Sequence, residues 1–166
     1  RDALVHPEAG QRYTYDDLAH EIDRAARGVR RRGSRTGEKI ARWSANVPEW
    51  MIAFLGLAKL GAITVPIDPA ATTDNLYYIL EQSESRGLIV AGSDDSGGML
   101  TTASAARGDI PLLEHVIVIN GRSGPDSSSW NELIAAGEAT ARATMAKISA
   151  AVKPEDPVAI MYTSGT

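Results

Sequence analysis

The chain has 166 residues, a hydrophobic fraction of 43%, a charged fraction of 23% and a formal net charge of −4. That is enough for one α/β domain with its own core, and the acidic balance speaks against a nucleic-acid platform. Cysteine is absent, which removes disulfide frameworks and thiolate metal sites. No apolar run reaches the ~18–20 residues of a membrane helix, and Arg1 opens no signal-peptide pattern. A soluble, reducing, cytoplasmic setting is the default expectation. With aromatics at 5%, the core must be built mainly from Ala, Leu, Ile and Val.

In chain order, Ala3–His6 and Arg12–Tyr15 flank the turn residues Pro7–Gly10 and predict a small β-hairpin. Thr14 is placed to cap a first helix, with Asp17 where a capping-box acid would stand. Leu18, Ile22, Ala25, Ala26 and Val29 follow at helical spacing. Arg30–Arg32 and then Gly33 fit a helix C-terminus, where cations suit the dipole. An anion-binding patch is the alternative reading of the arginines. Lys39–Ser44 reads as a strand. Asn46 as N-cap, Pro48 in the first turn and Glu49 predict a helix over Val47–Leu60, apolar almost all round and therefore buried on more than one side. Gly61 ends it.

Ala62–Ile67 is the next strand, and strand, helix and strand together have the length of a βαβ unit. Thr73 is expected to cap a helix carrying Leu76, Ile79 and Leu80, ended by Gly87. Leu88–Ala91 is a strand, Gly97–Arg107 a weaker helix, and His115–Ile119 a strongly β-branched strand. Gly121–Ser129 reads as a polar surface loop. Trp130–Ala136 and the Ala-rich Glu138–Ala151 read as helices. Lys153–Pro157 breaks the last of these and leads to a final buried strand over Val158–Tyr162. The alternation predicts an α/β fold: a mainly parallel sheet with helices on both faces.

The chemistry concentrates at the end. Thr163, Ser164, Gly165 and Thr166 follow that last strand. Their hydroxyls can donate to phosphate oxygens or ligate Mg2+, and Gly165 lets a phosphate approach backbone N–H groups. The pattern is not a Walker loop, and a hydroxyl-capped β-turn is the plain alternative. His6, His20 and His115 lack metal-ligand spacing. The adjacent pairs Asp16-Asp17 and Asp94-Asp95 suit a helix first turn and a loop. Trp43 and Trp50 suit core packing better than a ligand pocket.

Four segments together resemble one family. They are Tyr13–Leu18 (a T-Y-x-E-L element), Asn46–Trp50 (N-x-x-E-W), Lys59–Asp68 (K-x-G-A-x-x-V-P-[IL]-[DN]) and Asp156–Thr166 (D-x-x-x-I-x-Y-T-S-G-T). In this order and spacing they identify the chain as similar to the AMP-forming acyl-CoA synthetases, a group related to peptide-synthetase adenylation domains and luciferases. The resemblance is loose between Gly92 and Ala151. It implies a ligase that uses ATP with Mg2+ to convert a carboxylic acid to an acyl-adenylate, then passes the acyl group to coenzyme A. It also implies that Thr163, Ser164, Gly165 and Thr166 grip the β- and γ-phosphates. No catalytic residue carries over. The family loop continues as T-G-x-P-K-G, and its Lys is absent here, as are the adenine- and ribose-binding segments and the C-terminal domain with its catalytic Lys. The expectation is an N-terminal α/β lobe spanning 1–166, inactive alone and needing the rest of its chain. Trp43–Trp50 and Ala58–Ala62 look most like medium- and long-chain fatty-acyl-CoA ligases. The alternatives are a peptide-synthetase-type adenylation fragment and a non-catalytic nucleotide-binding or adaptor domain.

Overall fold

A computed structural model describes residues 1–92 and 98–163. The hairpin forms first. Strands β1 (Asp2–His6) and β2 (Gln11–Thr14) pair antiparallel across a single 3-10 turn over Pro7–Ala9. Gly10 closes the turn at φ +64°, a left-handed conformation natural to glycine.

Helix α1 (Tyr15–Arg31) begins with the expected reciprocal cap. Thr14 accepts from the Asp17 N–H at 3.2 Å, and Asp17 accepts from the Thr14 N–H at 3.0 Å. It ends in arginines before Gly33, at φ +102°.

The central sheet is five-stranded, in the order β4-β3-β5-β6-β7: β3 (Lys39–Trp43), β4 (Ile63–Ile67), β5 (Gly87–Ala91), β6 (His115–Ile119) and β7 (Ser128–Ser129). All four pairings are parallel. The chain lays down β3, crosses to one side for β4, then crosses back to the other side for β5. Helices cover both faces, as expected. On one side α3 (Thr73–Gln82) and α4 (Met99–Asp109) bury Leu76, Ile79, Leu80, Ala103 and Ala106 against Ala41, Val65, Leu88, Val90, Val116 and Val118. On the other side α1, α2 (Pro48–Leu60), α5 (Trp130–Gly137) and α6 (Arg142–Ala151) pack on Ile40, Ile89, Ile117 and Ile119. The even and odd residues of β5 and β6 go to opposite cores, so these strands read as unbroken apolar runs. Asp23 on α1 ties the helical layer together, holding Lys59 of α2 at 2.8 Å and Arg27 at 3.0 Å.

Several boundaries differ from expectation, each for a local reason. Val47, not Asn46, is the N-cap of α2, and no side chain caps it. Pro48 fixes the first helical position, so Asn46 stands one residue too early to reach the first turn. Glu49 therefore completes no capping box. Thr72 rather than Thr73 caps α3, accepting from the Asn75 N–H at 3.3 Å. That helix stops at Gln82, and the left-handed turn is made by Glu84 at φ +55°. Gly87 instead opens β5, where an added Cβ would stand 3.0 Å from the Ile40 side chain. The polar stretch before α5 is more ordered in pattern than a loop: Ser128–Ser129 pair with Ile117–Val118, and Ser129 forms a capping box with Glu132. Helix α6 begins at Arg142 rather than Glu138. Gly137 ends α5 because the chain there runs against α1, where a Cβ would meet the Gly28 nitrogen at 2.6 Å.

The last correction concerns the final strand. Residues 158–162 form no named strand and are not buried: Val158 is 45% and Met161 68% exposed. One parallel bridge joins Ala159 to Thr64. Thr64 donates to the Val158 carbonyl at 3.0 Å and accepts from the Ile160 N–H at 2.9 Å. The next donor on that edge of β4 would be residue 66, which is proline. Without an N–H, the ladder stops after one rung.

Candidate functional site

Parallel α/β sheets bind ligands beyond the carboxyl ends of their strands. The terminal segment runs parallel to β4, so it delivers Thr163 to that end. There an open cleft of about 590 Å3 is lined by Pro66, Asp68, Asn75, Tyr78, Tyr162 and Thr163, among others.

Each wall has a traceable origin. Asp68 follows β4. Its backbone carbonyl accepts from the Trp43 indole N–H at 3.0 Å, and its carboxylate accepts from the Ala70 N–H at 2.8 Å. This small turn fixes the floor. Asn75 and Tyr78 come from the exposed side of α3, whose opposite side is buried through Leu76, Ile79 and Leu80. Tyr162 meets Tyr78 edge-on, with ring centroids 6.3 Å apart at 81°. Its hydroxyl donates to the Gln82 side-chain carbonyl. Burial, with Tyr78 adding, raises the Tyr162 phenol above its ordinary value, so it is a protonated donor at neutral pH.

Of the four residues the sequence singles out, Thr163 is exposed at the mouth of this cleft. Ser164, Gly165 and Thr166 lie outside the described residues, as does the Asp94-Asp95 pair. Sequence reasoning missed Asn75, Tyr78 and Gln82. Their only signal was exposure on one side of a helix entering at the carboxyl end of the sheet.

Chemically the cleft offers hydroxyls, an amide and one acid, but no Lys or Arg, among its described lining residues. Among the described residues no group of three or more His, Cys, Asp or Glu could hold a metal ion. Any positive charge needed against phosphates must come from elsewhere.

The tryptophans serve packing. Trp43 is 5% exposed in the α3–α4 core. The Trp50 ring lies over the guanidinium of Arg42, 3.6 Å from centroid to Cζ, and stacks with Phe54. Arg42 itself was not foreseen. It is 1% exposed and donates to the Trp50 carbonyl at 2.6 Å, while its Nε and Nη2 have no partner among the described residues. Burial pushes it down to about 10. His115 is half-buried, and burial, with Arg32 and Arg107 adding to it against Glu114, lowers its pKa.

A doubly wound lobe with an open cleft at its carboxyl edge is the class that fold and site define. The model of the AMP-binding enzyme family matches residues 1–166, and the chain belongs to that family. It is 31% identical over 153 residues to long-chain-fatty-acid–CoA ligase FadD15 of Mycobacterium bovis, covering 92% of this chain and 24% of that protein. It is also 31% identical over 166 residues to 4-coumarate–CoA ligase 3 of Oryza sativa, covering 100% and 27%. Among solved structures, the anthranilate CoA ligase AuaEII in complex with anthranoyl-AMP superposes with a TM-score of 0.73 at 29% identity, covering 81% of this chain and 25% of that one. The chain thus spans about a quarter to a third of the length of the curated relatives it matches. No helix among the described residues is long and apolar enough to cross a membrane.

Proposed function

We propose that residues 1–166 are the N-terminal α/β lobe of an ATP-dependent, AMP-forming carboxylate–CoA ligase. Its acid substrate is a fatty acid, and the enzyme acts in the cytoplasm. The observation that carries this reading is the family match over the whole chain, with relatives named as CoA ligases. In the first step a carboxylate oxygen attacks the α-phosphate of ATP, and pyrophosphate leaves. In the second the thiolate sulfur of coenzyme A attacks the acyl carbonyl, and AMP leaves.

The part given to this lobe is to receive the departing pyrophosphate. Thr163, Ser164, Gly165 and Thr166 would offer hydroxyl and backbone N–H donors to its oxygens, a preorganised set that strengthens as charge develops. Support comes from the direction of the terminal segment, which brings Thr163 to the carboxyl end of β4. Mg2+ would supply charge neutralisation at the phosphates. The donors near it here, hydroxyls and the single acid Asp68, fit an ion that takes most of its ligands from the nucleotide and water. With no Lys or Arg among the described residues of the cleft, the 166-residue chain alone should be inactive.

The test is ATP–pyrophosphate exchange with a panel of fatty and aromatic acids, followed by thioester formation with CoA. The full-length protein carrying this segment should exchange with at least one acid, and the isolated chain should not. Exchange by the isolated chain, or none by the full-length protein with any acid, would overturn the reading.

A further inference from the structure

Backbone hydrogen bonding leaves the functional segment oddly unsupported. Pro66 ends its ladder after Ile160, and Met161 stands largely in solvent. Thr163 is three residues beyond the last rung. Something else must fix the direction in which the chain leaves the sheet.

We propose that α3 does this, with Gln82 and Tyr78 as positioning residues that hold Tyr162 and thereby aim Thr163. The inference rests on the phosphate-binding reading above. Among contacts between described residues, Tyr162 is the one residue of 161–163 whose side chain is tied down: its hydroxyl donates to Gln82, its ring meets Tyr78, and it packs on the α3–α4 core. The anchor is itself rigid. Helix α3 is capped by Thr72 and buries Leu76 and Leu80 completely. Tyr77 then links it to α4 through a hydrogen bond to Asp109 at 2.8 Å. Two elements therefore share the work. Strand β4 sets the register of the segment through Thr64, and α3 sets its direction through Gln82. A donor set for phosphate acts only if its geometry is fixed beforehand, and misplacement by about 1 Å is enough to lose much of the effect.

Gln82 does not line the cleft, so loss of its hydrogen bond should act through the segment that Tyr162 anchors. Gln82 is exposed, and replacing it should leave the fold intact. The variants are Gln82→Leu, which removes the acceptor, Gln82→Glu, which keeps an acceptor oxygen at the same reach, Tyr162→Phe, and the double Gln82→Leu/Tyr162→Phe. The first measurement is amide hydrogen exchange on the 166-residue chain. Gln82→Leu and Tyr162→Phe should each speed exchange in 158–163 by about three- to tenfold, the range expected for one net hydrogen bond. The double variant should match either single one, Gln82→Glu should resemble wild type, and β5 and β6 should not change. Unchanged exchange in 158–163, additive effects, or loosening of the central strands would overturn the proposal.

The second measurement uses the full-length ligase. Gln82→Leu should raise the KM for ATP about three- to tenfold while the KM values for acid and CoA stay put, and Gln82→Glu should restore it. A KM for acid that moves together with that for ATP also overturns it. A wild-type protein that adenylates no acid sinks the proposed function instead, and the exchange pattern then decides alone whether α3 holds the segment.

Discussion

Replacing Arg42 with methionine should stabilise the protein. The guanidinium is almost fully buried and faces no carboxylate within ion-pair distance among the described residues. Burial brings its pKa down from the ordinary arginine range to about 10. At ~1.4 kcal/mol per pH unit, holding the charge there costs about 3 kcal/mol. The Trp50 ring returns about 1–2 kcal/mol as a cation–π contact, and the bond to the Trp50 carbonyl about 1.5–3 kcal/mol. The polar account therefore closes near zero. Methionine loses both terms, good and bad, keeps most of the volume, and places a thioether against the indole, worth roughly 0.3–1.5 kcal/mol. The expected gain for Arg42→Met is about 1 kcal/mol, or a Tm rise of about 3 °C for a chain of this size. Arg42→Ala, which leaves a cavity, should lose about 2–4 kcal/mol. Urea titration followed by far-UV circular dichroism measures both. The pH dependence separates charge from packing. Folded Arg42 releases its proton from about pH 10, while the unfolded chain keeps it to a higher pH. In that window the unfolded state binds more protons, so wild type gains stability as pH rises. The methionine advantage should be constant from about pH 6 to 9 and shrink above 10. A methionine variant less stable than wild type by more than about 1 kcal/mol would refute the reasoning, because the aromatic contact would then outweigh burial.

Three further substitutions probe packing and pH. An added Cβ at Gly28 would stand 2.4 Å from the Leu133 carbonyl, so Gly28→Ala should force α1 from α5 and cost about 1–3 kcal/mol; Gly108→Ala, in the last turn of α4 where nothing lies within 4 Å, should instead gain about 0.5–1 kcal/mol in the same denaturation assay. His115 takes a proton less readily folded than unfolded, so stability should fall as pH drops through about 6.5, and His115→Gln should flatten that part of a Tm-versus-pH curve.

Much of the fold was legible because its strands and caps carry their own signals. The runs Leu88–Ala91 and His115–Ile119 needed two apolar faces, and a parallel sheet supplies them. Thr14 with Asp17, and Gly61 after α2, marked helix ends by chemistry that acts within one turn. The errors arose where a second element decides. Asn46 looked like a cap until Pro48 fixed the helix start, and Gly87 looked like a stop although it clears space for Ile40. The terminal strand failed for a reason more than ninety residues away in sequence, the missing N–H of Pro66. The site shows the same division. Thr163 follows from its motif, whereas Tyr78 lines the cleft and Gln82 meets Tyr162 only once α3 is laid along the sheet. Arg42 broke the rule that charges stay outside, and nothing in its immediate sequence announces the Trp50 ring above it.

The single bridge between Thr64 and Ala159 also bears on how the molecule assembles. Contacts such as β3 with β4 close short stretches of chain and can form early. The bridge closes a loop of more than ninety residues, at an entropy cost of about 4 kcal/mol for a flexible chain, and one rung does not recover that. It becomes favourable only after the intervening helices and strands have already shortened the path. Docking of residues 158–163 should therefore be a late event in folding, with interactions absent from the transition state. Substitutions in this segment should speed unfolding and leave the folding rate nearly untouched.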